Sequence, residues 1–96
     1  MSFLDLFRRK KPLDEAARRE MLLRKGRITE GVILDHAINA QGEVSEIFYF
    51  YSVSGSDYES SQKLNDEQRK RSVNYAPGTH VTVRYDPGKP GNSIVV

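Results

Sequence analysis

The chain has 96 residues, 38% of them hydrophobic and 29% charged, with no cysteine and a net charge of +2. That length allows one domain with one modest core, and the five tyrosines and four phenylalanines exclude a chain too polar to fold. Without cysteine there can be no disulfide, no thiolate zinc site and no thiol catalysis, which fits a reducing compartment. The charge is unevenly spread. Residues 1–27 hold nine basic and four acidic residues (+5), whereas residues 28–96 hold six and nine (−3). The basic excess therefore belongs to an arm, and the mildly acidic remainder argues against a nucleic-acid footprint on it.

Residues 1–11 form an amphipathic basic segment. At 100° per residue, Phe3, Leu4, Leu6 and Phe7 fall on one side of a short helix, with Ser2 and Asp5 at capping-box spacing. Arg8, Arg9, Lys10 and Lys11 follow. Such a segment could insert its apolar side into an anionic bilayer, with the basic run adding about 1 kcal/mol per residue near anionic lipid. Alternatively it is a frayed terminus, or is folded back onto the domain. Residues 12–26 read as a second helix, over 13–25. Pro12 suits its start, Asp14 and Glu15 its first turn, Arg24 and Lys25 its last, and Gly26 its stop. Acid-before-base pairs at i,i+4 (Asp14–Arg18, Glu15–Arg19, Glu20–Arg24) support it, and Leu13, Ala16, Ala17, Met21 and Leu23 make its apolar face.

From residue 27 the period changes to two. Ile28 to His36 alternate as a strand, and a loop follows over Asn39–Gly42. Residues 43–53 carry β-branched and aromatic residues on both faces and make the strongest strand. Gly55-Ser56-Asp57 reads as a turn leading to a third strand over Tyr58–Lys63. Asn65 is a candidate N-cap for a short helix over 66–73. Pro77-Gly78 has the signature of a type II turn, with glycine expected at positive φ. Residues 79–85 alternate, placing Val81, Val83 and Tyr85 inward. Asp86-Pro87-Gly88, with positive φ expected at Gly88, and Lys89-Pro90-Gly91 read as two further turns before a last strand from Ser93 to Val96. A sheet this small with a strand apolar on both faces must curl. The expected fold of residues 27–96 is mainly β, a five-stranded antiparallel sheet or barrel of OB-like or SH3-like type, with a short helix before the fourth strand.

The runs "LLRKGRITEGVILD", "YFYSVSGSDYES" and "VNYAPGTHVTVRYDPGKPGNSIV" carry a family pattern. It consists of a G-x-V strand start (Gly31–Ile33), a Y-x-V-x-G-x-x-Y hairpin (Tyr51–Tyr58) and a Y-x-x-G-x-x-V-x-V-x-Y-D-P-x-x-P stretch (Tyr75–Pro90). From residue 22 on, the chain resembles the bacterial domain-of-unknown-function family 3592. The resemblance implies a compact β domain, often attached to membrane segments, with no established activity; its motif residues are core and turn positions. No stretch here approaches the roughly 20 apolar residues of a spanning helix, so membrane attachment does not carry over directly.

The sequence contains no G-x-S-x-G, Walker A, H-E-x-x-H or G-x-G-x-x-G signature. His36 and His80, the only imidazoles, could meet across a sheet, but two ligands make no selective metal site. Asp57 and Glu59 read as a solvated strand face. The expectation is a non-enzymatic chain without cofactor or metal. Its aromatic run Phe48, Tyr49, Phe50 and Tyr51 supplies a possible surface for a protein partner, with single-stranded nucleic acid the weakest alternative. The arm's Phe3, Leu4, Leu6, Phe7, Arg8, Arg9, Lys10 and Lys11 supply a possible contact to an anionic membrane. Neither an apolar leader nor a cleavage site opens the chain, so the expected location is the cytoplasm, with the inner face of the membrane as the alternative.

Overall fold

The computed structural model describes residues 15–71 and 75–96. The sequence-predicted amphipathic segment 1–11, with its eight membrane-contact candidates, lies outside these residues. A helix, α1 (residues 15–25), leads into five strands: β1 (Arg27–Ile38), β2 (Val44–Val53), β3 (Ser56–Lys63), β4 (His80–Asp86) and β5 (Lys89–Val95). A one-turn helix, α2 (Asp66–Arg69), joins β3 to β4. All neighbouring pairs are antiparallel and the sheet order is β3-β2-β1-β4-β5. The two edge strands, β3 and β5, therefore run parallel and approach each other, giving a nearly closed barrel. That ring order, with its helix between the third and fourth strands, is the OB-like one of the two expected types.

Closure depends on β1 changing partner along its length. Its first half pairs with β4 (Arg27↔Tyr85 to Val32↔His80) and its second with β2 (Gly31↔Tyr51 to Ile38↔Val44). At Gly31 both neighbours close in. A Cβ there would lie 2.7 Å from Val83 Cγ2 and 2.9 Å from the Phe50 carbonyl oxygen, so only glycine fits. Just beyond, the register jumps from Ile33↔Tyr49 to Asp35↔Phe48, leaving Leu34 as the extra residue of a bulge.

The interior is filled by Ile33, Val44, Ile47, Tyr49, Tyr51, Leu64, Tyr75, Val83 and Val95. The tyrosine rings stack from Tyr49 to Tyr51 (centroids 5.8 Å apart) and on to half-buried Tyr58 (5.4 Å). Each buried hydroxyl that this introduces has a partner, as a dry interior requires. Tyr49 Oη lies 2.7 Å from Ser93 Oγ, and Tyr51 Oη donates to the Pro90 carbonyl at 2.6 Å. Burial raises the Tyr51 phenol above its ordinary pKa, which keeps it a neutral donor.

Side-chain amides bridge the gap between β3 and β5. Gln62 copies a ladder pair, its Oε1 accepting from Val95 N (2.8 Å) and its Nε2 donating to Val95 O (2.9 Å). Buried Gln68 donates to the same carbonyl at 3.0 Å, while its Oε1 accepts from Asn65 N. Asn65 Oδ1 accepts in turn from Gln68 N, completing a capping box that fixes α2. On the outside, α1 lies against β5. Leu22 is buried, and Arg18 reaches Asn92 Oδ1 (2.7 Å) and the Ser93 carbonyl (3.1 Å), an acceptor that the edge strand offers.

Several expectations are corrected. Helix α1 buries Leu22, not the face Ala16–Ala17–Met21–Leu23, whose members are all exposed. Glu15, expected to pair with Arg19, meets Arg18 at i,i+3 (3.2 Å) instead, and Asp14 lies outside the described residues. The β2–β3 turn is Ser54-Gly55, with both residues at positive φ (51° and 84°), the signature of a type I′ hairpin loop; Ser56 and Asp57 already belong to β3. Helix α2 spans one turn, ending well short of residue 73. Pro77-Gly78 is the expected type II turn: Gly78 has φ 89° and Thr79 N donates to the Ala76 carbonyl at 3.0 Å. Gly88, by contrast, is not at positive φ. The hairpin closes through a two-residue loop, Pro87-Gly88, in which Asp86 Oδ1 accepts from Gly88 N at 2.8 Å. Lys89-Pro90-Gly91 is no second turn but the start of β5, whose edge position tolerates a proline.

Candidate functional site

The pleat of β2 divides its aromatics. Tyr49 and Tyr51 point into the barrel at 0% and 1% exposure, so they cannot contact a partner, and the expectation that they might is corrected. Phe48 and Phe50 point out; Phe48 is 38% exposed and Phe50 half-buried. Antiparallel register decides what stands beside them. Glu59, Phe50, Val32 and His80 form one row across β3, β2, β1 and β4, and Ser61, Phe48 and Asp35 form the next across β3, β2 and β1. Leu34, set free by the bulge, is 46% exposed between these rows. The result is an apolar centre of Phe48, Phe50, Val32 and Leu34 on the outer surface of the barrel.

Its border is acidic. Asp35 sits opposite Phe48, Glu59 opposite Phe50, and Asp57 beside Ser52, whose hydroxyl donates to Asp57 Oδ1 at 2.6 Å. Glu30 lies on the same outer face, where its carboxylate meets His80 Nδ1 at 3.0 Å. Lys63, opposite Glu46, is the one lysine on the outer side of β3. Carboxylates at 30, 35, 57 and 59 around an aromatic centre repel a phosphate backbone and attract a cationic group.

The histidines do not converge. His80 pairs opposite Val32, four residues along β1 from His36, and His36 Nδ1 lies 3.4 Å from the Tyr75 carbonyl. Among the described residues no three His, Asp or Glu side chains are grouped to hold a metal ion, and no helix is long and apolar enough to cross a membrane. The remaining sequence-predicted positions, Gly55, Pro77, Gly78, Asp86, Pro87 and Gly88, are all in turns or at their edges, and Gly78 N donates to the carbonyl of Ile33, between Val32 and Leu34, at 2.7 Å. Sequence reasoning missed Leu34, whose exposure depends on a bulge that alternation does not reveal. It also missed Gln62, Gln68 and Ser93, polar side chains with structural partners.

A five-stranded barrel with turn glycines and an inward tyrosine ladder defines a small β-domain class, and the motif positions Tyr51, Tyr58, Tyr75, Gly78 and Val83 are its core and one of its turns. The model of the family "Domain of unknown function (DUF3592)" matches residues 25–96, three quarters of the chain, and the chain belongs to that family. No curated protein and no solved structure matches it.

Proposed function

We propose that this domain is a non-catalytic binding module whose contact surface is the outer face of β1–β3, centred on Phe48 and Phe50. The observation that carries the reading is the outward aromatic pair. Phenylalanine has no polar group for water to satisfy, and a cluster of it on a solvent-facing strand beside Leu34 and Val32 is the composition of an interface centre with a polar rim. The acidic border selects the partner's chemistry: a protein segment bearing apolar and basic side chains. The same border opposes single-stranded nucleic acid, which would need a basic groove for its phosphates.

The test is affinity capture with the full chain and its Phe48→Ser/Phe50→Ser variant, compared at low and high salt. Retained partners should be lost with the variant, and their binding should weaken as salt rises because the border is charged. Capture that is identical for both proteins rejects this face as the binding surface.

A further inference from the structure

We infer that the segment this face receives is the chain's own residues 2–11, docked in cis. The inference rests on the preceding reading of the face and adds its occupant. It draws first on where the described chain begins. Glu15, the first residue of α1, shares a crevice with Glu46 on β2 and with Ser61 and Lys63 on β3. Ser61 is the cross-strand partner of Phe48 on the outer face. Adjacent strands are about 4.8 Å apart, so the chain preceding Glu15 starts at the border of the aromatic centre. This exit point is fixed, because Arg18 and Leu22 anchor α1 to the barrel.

Length and chemistry then agree. Three residues separate Glu15 from residue 11, and at a reach of at most about 3.5 Å each they are chain enough to pass the next strand. The segment carries Phe3, Leu4, Leu6 and Phe7 followed by Arg8, Arg9, Lys10 and Lys11. The face offers Phe48, Phe50, Val32 and Leu34 bordered by Glu30, Asp35, Asp57 and Glu59. Apolar meets apolar and four cations meet four carboxylates. Exposed ion pairs add little by themselves, so burial of the phenylalanines and leucines supplies the attraction and the charges set the register. Tethering makes even a weak contact effective, since the segment is held close at high local concentration. A docked segment is also a regulator: an external partner of the same chemistry must displace it.

The chain has no cysteine, so Ser2→Cys gives one site for a spin label on the full-length protein. With the label attached, amide signals of Leu34, Phe48, Phe50 and Ser61 should broaden selectively. Adding Phe48→Ser/Phe50→Ser, with the rest of the spectrum unchanged as proof of fold, should reduce that broadening to the level of the barrel's other amides. Equal broadening in the two labelled proteins, or none at the face, overturns the docking. A second arm works in trans. A peptide of residues 1–12 added to full-length protein carrying Phe3→Ser, Leu4→Ser, Leu6→Ser and Phe7→Ser should shift the same four amides, and four acidic replacements at positions 8–11 of the peptide should abolish the shift. A peptide that shifts nothing while the face still captures other partners removes the cis occupant and leaves the binding surface. Loss of capture specificity in the Phe48→Ser/Phe50→Ser comparison would remove the surface itself. Full-length labelled protein that binds anionic vesicles while none of the face's amides broadens would assign the segment to lipid and overturn the inference.

Discussion

The two faces of β2 reverse the order that hydropathy alone would suggest. Inside lie Tyr49 and Tyr51, each with a hydroxyl; outside lie Phe48 and Phe50, which have none. The interior accepts the hydroxyls because the edge strand β5 supplies partners where it approaches β2, the Ser93 side chain and the Pro90 carbonyl. The tyrosines thus fill the core and also tie β5 to the opposite wall of a barrel whose last seam has no full ladder. The phenylalanines do nothing comparable for the fold. This difference is the main physical reason to assign the outer face to binding, and substitutions on the two faces should separate cleanly.

Tyr49→Ala should have the largest effect. It removes a fully buried aromatic together with the hydrogen bond between its hydroxyl and Ser93 Oγ, at about 3–5 kcal/mol. For a domain of this size that approaches the whole stability, so loss of cooperative unfolding by circular dichroism is the expected reading. Phe50→Ser, one residue away, should cost only about 1 kcal/mol and leave a cooperative transition. Equal destabilisation by the two would erase the distinction between the faces.

Gly31→Ala comes next, because it strikes where both faces depend on one close approach. Its methyl would push against Val83 inside and the Phe50 carbonyl in the ladder. Overpacking of this kind costs about 1–3 kcal/mol, read from the urea midpoint, and it should also disturb the outer face by shifting Phe50. A neutral Gly31→Ala would mean that β1 is less tightly held between β2 and β4 than its register implies.

Alternation of Val81, Val83 and Tyr85, the run of aromatics over 48–51 and the turn residues at 77–78 are local signals, and they suffice to give five strands and a curled sheet. The short helix was legible too, since Asn65 followed by Asp66 and Glu67 marks a helix start. What the sequence could not show is set by pairing at long range. The bulge at Leu34 arises from register against Phe48, and the inclusion of Lys89–Gly91 in β5 follows from an edge strand tolerating Pro90. Which aromatic pair faces out was equally a matter of pairing, because phase along β2 is visible but its direction is not. Leu22 was hidden for a related reason: among the described residues of α1 it alone is buried, and it lies off the face that the amphipathic pattern marked.

Two turn glycines sharpen the point at lower cost. Gly78 holds φ 89° in open space, so Gly78→Ala is strained by backbone alone, at about 1 kcal/mol. Gly88 sits in ordinary backbone, and Gly88→Ala should change stability by less than about 0.5 kcal/mol. Melting temperatures of the pair decide it, and similar shifts would show that one of the two turns is wrongly described.

The smallest effect is a pH dependence from the inner face. Burial raises the pKa of Tyr51 in the folded protein, whereas in the unfolded chain it titrates near its ordinary value of about 10. The folded state therefore holds its proton where the unfolded state releases it. Stability from this group is fully present below about pH 10 and is lost as pH rises through the folded pKa. Other tyrosines and lysines titrate in the same range, so the informative quantity is the difference between the native protein and Tyr51→Phe. At neutral pH the native protein should be the more stable by about 1 kcal/mol, the worth of the hydrogen bond to the Pro90 carbonyl. Above pH 10 the gap should narrow, because only the native protein must keep a phenol neutral in the barrel. A gap that stays constant to pH 11 would mean that the Tyr51 hydroxyl reaches solvent, and with it that the inner and outer faces of β2 are less distinct than their burial indicates.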